Sequence, residues 1–131
     1  MKKILIIEDH ADMRELLTWQ IELMGFAAVT ARQGREGLQK AQSENPVLII
    51  LDIMMPGMDG WEAARELKAN AATRDIPILA ATALFRDADL QNCMASGCSG
   101  YLVKPFTFQE LQGKVQELIP AVVVTSPFFN R

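Results

Sequence analysis

Histidine and cysteine are nearly missing from this chain. His10 is the only histidine, and Cys93 and Cys98 are the only cysteines. Their five-residue spacing fits neither a CxxC redox pair nor half of a zinc site, so both read as reduced thiols of a cytosolic protein. Basic clusters are missing too. Thirteen Lys and Arg face sixteen Asp and Glu, for a net charge of −3, and no Lys/Arg block stands out. That balance argues against direct nucleic-acid binding. No apolar run approaches the ~18 residues of a membrane helix. The start, Met1-Lys2-Lys3-Ile4, resembles a secretory signal only until Ile7, because Glu8-Asp9 follow at once. No glycine-rich loop follows that first apolar run, which removes the usual nucleotide cradle. What remains is 131 residues, half of them hydrophobic. A single domain of that size buries about two thirds of its unfolded surface without disulfide or zinc support.

Short apolar runs alternate with longer amphipathic stretches. Ile4-Leu5-Ile6-Ile7 and Val47-Leu48-Ile49-Ile50-Leu51 are continuous, as strands buried on both faces should be. Residues 78–83, Tyr101-Leu102-Val103 and Ala27-Ala28-Val29 are weaker versions. Between them, Met13, Leu16, Leu17, Ile21 and Met24 keep one helical face, closed by Gly25. Trp19 falls off that stripe and should be exposed. Residues 34–42 suggest a short helix, and Leu90, Cys93, Met94 and Gly97 form another stripe. Asp59-Gly60-Trp61-Glu62 and Thr107-Phe108-Gln109-Glu110 look like capping boxes, the second leading into Leu111, Val115, Leu118 and Ile119. The pattern is βα repeated five times, which implies an α/β fold with a parallel sheet covered on both faces. Ligands of such sheets bind at the carboxyl ends of the strands.

The residues at those ends are Glu8-Asp9 after the first run, Asp52 after the third, Thr82 in the fourth and Lys104 after the fifth. Taken singly, each has an ordinary explanation: an Asp at a strand end is usually a helix cap or loop residue, Thr82 a strand residue, Lys104 an exposed charge. Jointly they are hard to place by chance. Clustered carboxylates repel without a cation, and oxygen ligands with no histidine or cysteine pair suit Mg²⁺ better than zinc. A lysine and a hydroxyl beside Asp52 are what a phosphoryl group would use. His10 reads as a solvated loop residue.

The segments Ile6-Ile7-Glu8-Asp9, Leu51-Asp52-Ile53-Met54-Met55-Pro56-Gly57-Met58-Asp59-Gly60, Ala81-Thr82-Ala83 and Gly97-Cys98-Ser99-Gly100-Tyr101-Leu102-Val103-Lys104-Pro105-Phe106 occur in this order. In these motifs the chain resembles a response-regulator receiver domain of two-component signalling, over residues 2–119. The resemblance implies a flavodoxin-like, doubly wound five-stranded parallel sheet in order 2-1-3-4-5. It implies that Asp52 accepts a phosphoryl group from a phosphohistidine on a sensor histidine kinase or histidine phosphotransferase. Asp9, Asp52 and the Met54 backbone carbonyl would bind Mg²⁺, with Glu8 holding a metal-bound water. Lys104 and Thr82 would each meet a phosphoryl oxygen, and the small Ala83 would leave its backbone N–H reachable. Tyr101 stands where the family has a rotating aromatic coupled to Thr82. The output would pass to a protein target through the face of the fourth helix, fifth strand and fifth helix. Lys104-Pro105 should be cis. Cys98, where the family usually has alanine, is the one local departure. Met54 and Leu84 would flank the path of the hydrolysing water and, being apolar, should make loss of the phosphoryl group slow.

Other readings fit less well. A haloacid-dehalogenase-type phosphatase also uses an Asp nucleophile with Mg²⁺, but needs a second Asp where Met54 stands. The division expected is a receiver domain over residues 1–120 and an apolar tail over 121–131 that packs on its own domain or on a second copy. The protein is expected to be cytoplasmic, a monomer or weak homodimer, and a signalling phosphoacceptor rather than an enzyme with turnover. It could stand alone or belong to a larger hybrid kinase or regulator. No helix-turn-helix pattern follows Ile119, so neither nucleic acid nor membrane is an expected partner.

Overall fold

The structure, a computed structural model, describes residues 1–55, 57–83 and 86–119. In chain order it runs β1 (Lys3–Ile7), α1 (Ala11–Leu23), β2 (Ala27–Ala31), α2 (Gly34–Glu44), β3 (Leu48–Asp52), α3 (Gly60–Ala69), β4 (Ile78–Thr82), α4 (Asp87–Ala95), β5 (Gly100–Val103) and α5 (Phe108–Leu118). The strands form one parallel sheet in the order β2-β1-β3-β4-β5, the flavodoxin-like order expected. Pro56, Leu84 and the expected tail at 121–131 lie outside the described residues.

Two apolar layers cover the sheet, and strand alternation divides the residues between them. Leu5, Ile7, Ile49 and Leu51 enter the layer shared with Ala41 of α2, Ala63, Ala64 and Leu67 of α3, and Cys93 of α4. Ile4, Ile6, Leu48 and Ile50 enter the layer shared with Leu17 and Ile21 of α1 and Leu111 and Val115 of α5. Both faces of β1 and β3 are therefore covered, which is why these strands are unbroken apolar runs. Each buried Leu or Ile contributes roughly 1.5–3 kcal/mol of transfer free energy. The register then sets the functional edge: Ile7 pairs with Leu51, Asp52 with Ala81 and Thr82 with Val103.

Helix ends follow local chemistry. Thr107 completes a reciprocal capping box with Glu110, and the Asp59 side chain accepts from Glu62 N. α1 and α4 both close through a left-handed glycine with paired bonds. Gly25 N donates to Glu22 O at 3.0 Å and Phe26 N to Ile21 O at 3.3 Å. At α4 the same two bonds run from Gly97 N to Met94 O at 3.0 Å and from Cys98 N to Cys93 O at 3.2 Å. In this motif the residues joined by the longer bond tend to pack together. Cys93 and Cys98 occupy those positions and are both buried, free thiols.

The apolar stripes are narrower than their sequence suggests. Leu16 and Met94 belong to the expected stripes of α1 and α4, yet are 44% and 47% exposed. Each stands on the edge of an arc whose centre, Leu17 or Cys93, makes the contact with the sheet. Trp19 is exposed, as its place off the stripe indicates. The 34–42 helix extends to Glu44 and ends at Asn45 in the left-handed region.

Two glycines give opposite expectations. A β-carbon at Gly60 would overlap the Ile53 Cα and sit 2.8 Å from the Asp52 carbonyl oxygen, both backbone atoms that cannot step aside. One at the exposed, helical Gly113 would meet nothing within 4 Å. In urea unfolding, Gly60→Ala should cost about 1–3 kcal/mol, whereas Gly113→Ala should add about 0.5–1 kcal/mol. A neutral Gly60→Ala would show that α3 is free to shift away from β3.

Candidate functional site

The carboxyl edge of the sheet gathers its chemistry from three strands. Glu8 and Asp9 leave β1, Asp52 ends the neighbouring β3, and Lys104 follows β5. Carboxylate oxygens of Glu8, Asp9 and Asp52 all lie within 4.8 Å of one another. Glu8 and Asp52 are buried, while Asp9 is exposed at the mouth. Lys104 reaches across: its Nζ donates to Glu8 Oε1 at 3.1 Å and lies 3.5 Å from Asp52 Oδ1. Met54 N donates to the same Asp52 oxygen at 3.1 Å. His10 N donates to Glu8 Oε2 at 3.2 Å.

These residues border a cleft of about 380 Å³, completed by Met13, Met54 and Ala83. Met54 is 59% exposed on its rim and Ala83 is exposed. Thr82 is fully buried at the end of β4, and its carbonyl accepts from Lys104 N at 2.7 Å, tying the fourth and fifth strand ends together. Tyr101 is not part of this cleft. It stands half-buried in β5 beside a second cleft of about 340 Å³, with Asp87, Leu90, Gln91 and Met94 of α4. The Lys104-Pro105 bond is cis. The structure thus brings Glu8, Asp9, Asp52, Met54, Ala83 and Lys104 to one place, with Thr82 next to them. His10 and Met13 were not expected in the cleft. The N-cap position of His10 places it there, and Met13 sits in the first turn of α1, where its apolar character suggested only core packing.

Electrostatics make the cleft unusual. When ionised, the three carboxylates outweigh the single ammonium by two charges. Burial pushes the Asp52 carboxyl up from 3.8 to about 7; the Lys104 charge opposes that rise, the Glu8 carboxylate adds to it and the Met54 N–H lowers it. An oxygen-only donor set with a surplus of two negative charges fits a hard divalent cation.

This is a doubly wound α/β protein with an acid cluster and a lysine at the switch edge of its sheet. The chain belongs to the response-regulator receiver-domain family, which matches residues 4–116. It is 38% identical over 118 residues to a probable transcriptional regulator, ycf27, of Cyanophora paradoxa, covering 90% of this chain and 48% of the relative. With the transcriptional regulatory protein HprR of Escherichia coli it shares 40% identity over 114 residues, covering 87% of this chain and 50% of that one. The chain spans about half the length of the curated relatives it matches. Among solved structures, chemotaxis protein CheY4 of Vibrio cholerae superposes with a TM-score of 0.86 at 32% identity, covering 90% of this chain and 98% of that one. The receiver domain of sensor histidine kinase PA1611 of Pseudomonas aeruginosa, with a magnesium ion in its active-site cleft, gives 0.84 at 30% identity, covering 91% and 98%. No helix among the described residues is long and apolar enough to cross a membrane.

The raised Asp52 carboxyl has a consequence for stability. Between pH 4 and 7 the folded chain holds a proton there that the unfolded chain has lost, so stability falls as pH rises through that window. At about 1.4 kcal/mol per pH unit, the deficit is at most about 4 kcal/mol above pH 7. Without divalent cation, Asp52→Asn should therefore be more stable than wild type at pH 8, with the gap closing toward pH 4. Urea unfolding across that range checks it; a gap independent of pH would contradict the burial of an ionised Asp52.

Proposed function

We propose that the chain is a phosphoacceptor in which Asp52 takes a phosphoryl group from a phosphohistidine of a sensor histidine kinase or histidine phosphotransferase. The observation that carries this is the meeting of Asp52 with Lys104, Glu8 and Asp9 within one cleft. An Asp52 carboxylate oxygen attacks phosphorus, the phosphorus–nitrogen bond breaks and its electron pair returns to the imidazole of the donor. Such a transfer needs positioning and charge neutralisation more than covalent help. Lys104, now against Glu8 and Asp52, would leave the carboxylates for a phosphoryl oxygen. Thr82 and the Ala83 N–H, at the end of the adjoining β4, would meet others.

Asp9, Asp52 and the Met54 carbonyl would hold Mg²⁺, and Glu8 a water bound to it. The surplus of two negative charges and the oxygen donors support this choice, as does the magnesium in the related PA1611 receiver. Bound there, Mg²⁺ supplies the positive charge that lets an anionic nucleophile meet an anionic phosphoryl group. The Lys104–Thr82 backbone bond and the cleft beside Tyr101 suggest how the event is passed on: Thr82 moves toward the phosphoryl group and Tyr101 into the space behind it. The changed face of α4, β5 and α5 would engage a downstream protein. That bias exists only through contacts made in the phosphorylated state. Half-length coverage of transcriptional regulators leaves two settings, a stand-alone carrier or a part of a longer regulator.

One experiment tests the reading. Incubation with a small phosphodonor and Mg²⁺ should label wild type, and Asp52→Asn should lose the label. Thr82→Ala should be labelled yet fail to shift the α4 amide resonances that wild type shifts. Decay of the label should be faster in Met54→Asn, whose amide can orient a water, each tenfold being about 1.4 kcal/mol of barrier. Full labelling of Asp52→Asn would overturn the assignment.

A further inference from the structure

Arg14 stands in the first turns of α1, where the helix dipole favours anions over cations. Its side chain folds back over the helix start. Nη1 donates to the carbonyl oxygen of Glu8 at 2.9 Å and to that of Asp9 at 3.3 Å. These carbonyls belong to the two peptide units that flank the Asp9 Cα. Peptide units are planar, so the orientation of the two planes defines both soft dihedrals of Asp9. A guanidinium that holds both carbonyls therefore fixes the direction in which the Asp9 side chain leaves the backbone. The remainder of the loop is held elsewhere: Glu8 N donates to Ala31 O at 3.0 Å, and Arg14 N to His10 O at 2.9 Å. Glu8 and Asp52 are kept in place by burial, whereas Asp9 is exposed.

We infer that Arg14 is a positioning residue for the cation site: its clamp on the Glu8 and Asp9 carbonyls holds the Asp9 carboxylate where it can share a cation with Asp52, beside Glu8. The inference rests on the proposed role of Asp9 as a ligand. Groups that orient metal ligands from behind commonly change affinity by about 10–100-fold when removed. Arginine suits the task because its planar fork presents several N–H groups in fixed directions; a lysine keeps the charge without the fork.

Calorimetric titration of the full chain with Mg²⁺, beside melting temperatures, separates the possibilities. Arg14→Gln should bind Mg²⁺ about tenfold or more weakly, and Arg14→Lys should recover only part of that loss. At saturating Mg²⁺ both should be labelled by the phosphodonor near the wild-type rate, so the defect lies in the Mg²⁺ dependence and not in the maximum. Asp9→Asn should lose the binding. If Asp9→Asn binds as wild type does, the cation reading itself fails and the Arg14 clamp with it. If Asp9→Asn is dead while Arg14→Gln binds normally, or if Arg14→Lys binds as wild type, the clamp alone is overturned. Should Arg14→Gln not fold, the Arg14→Lys titration decides in the same way.

Discussion

Three carboxylates sharing a space of under 4.8 Å, with one ammonium between two of them, are held together against their own repulsion. Covalent neighbours cannot be blamed for the crowding, because Asp52 lies 43 positions after Asp9. The strand order creates it: β1 and β3 are adjacent, and both faces of both strands are sealed by helices. Burial of Ile4 to Ile7 and of Leu48 to Leu51 drives that arrangement, and the acids at the strand ends travel with it. Breaking a buried charge pair by removing one partner is costly, so Lys104 is as much a part of the fold at this edge as of its chemistry.

The same crowding sets stability against function. An apolar residue at Asp52 would suit its buried surroundings better, and the upward push on its carboxyl records that mismatch. Groups shifted in this way cluster at functional sites. The supporting structure is correspondingly firm. Gly60 lets α3 approach the backbone of Ile53 closely, Met54 N–H holds one Asp52 oxygen, and the Lys104 backbone is bonded to Thr82.

Much of this was legible from residues alone. Runs buried on both faces leave an unmistakable signature, so β1 and β3 were plain, and the residues after them, Glu8, Asp9 and Asp52, are ones that the fold gathers in one cleft. Edge strand β2 was faint because most of it is only half-buried. The breadth of helical faces was misjudged at Leu16 and Met94, since a hydrophobic residue on the margin of an arc looks the same in sequence as one at its centre. His10 and Met13 escaped notice because their place in the cleft depends on how the first turn of α1 meets β1. Arg14 was missed as well. A cation so near a helix N-terminus, against the dipole, was the only trace it left.

The central claim is that this acid cluster is completed by a divalent cation. A ligand that binds only the folded chain raises its stability in proportion to the logarithm of its concentration once binding is saturated. The melting temperature at pH 8, measured against increasing MgCl₂ with ionic strength held constant by NaCl, tests the claim most directly. Wild type should melt progressively higher as Mg²⁺ rises, and Asp9→Asn should not respond. A wild-type melting temperature indifferent to Mg²⁺ would contradict the account.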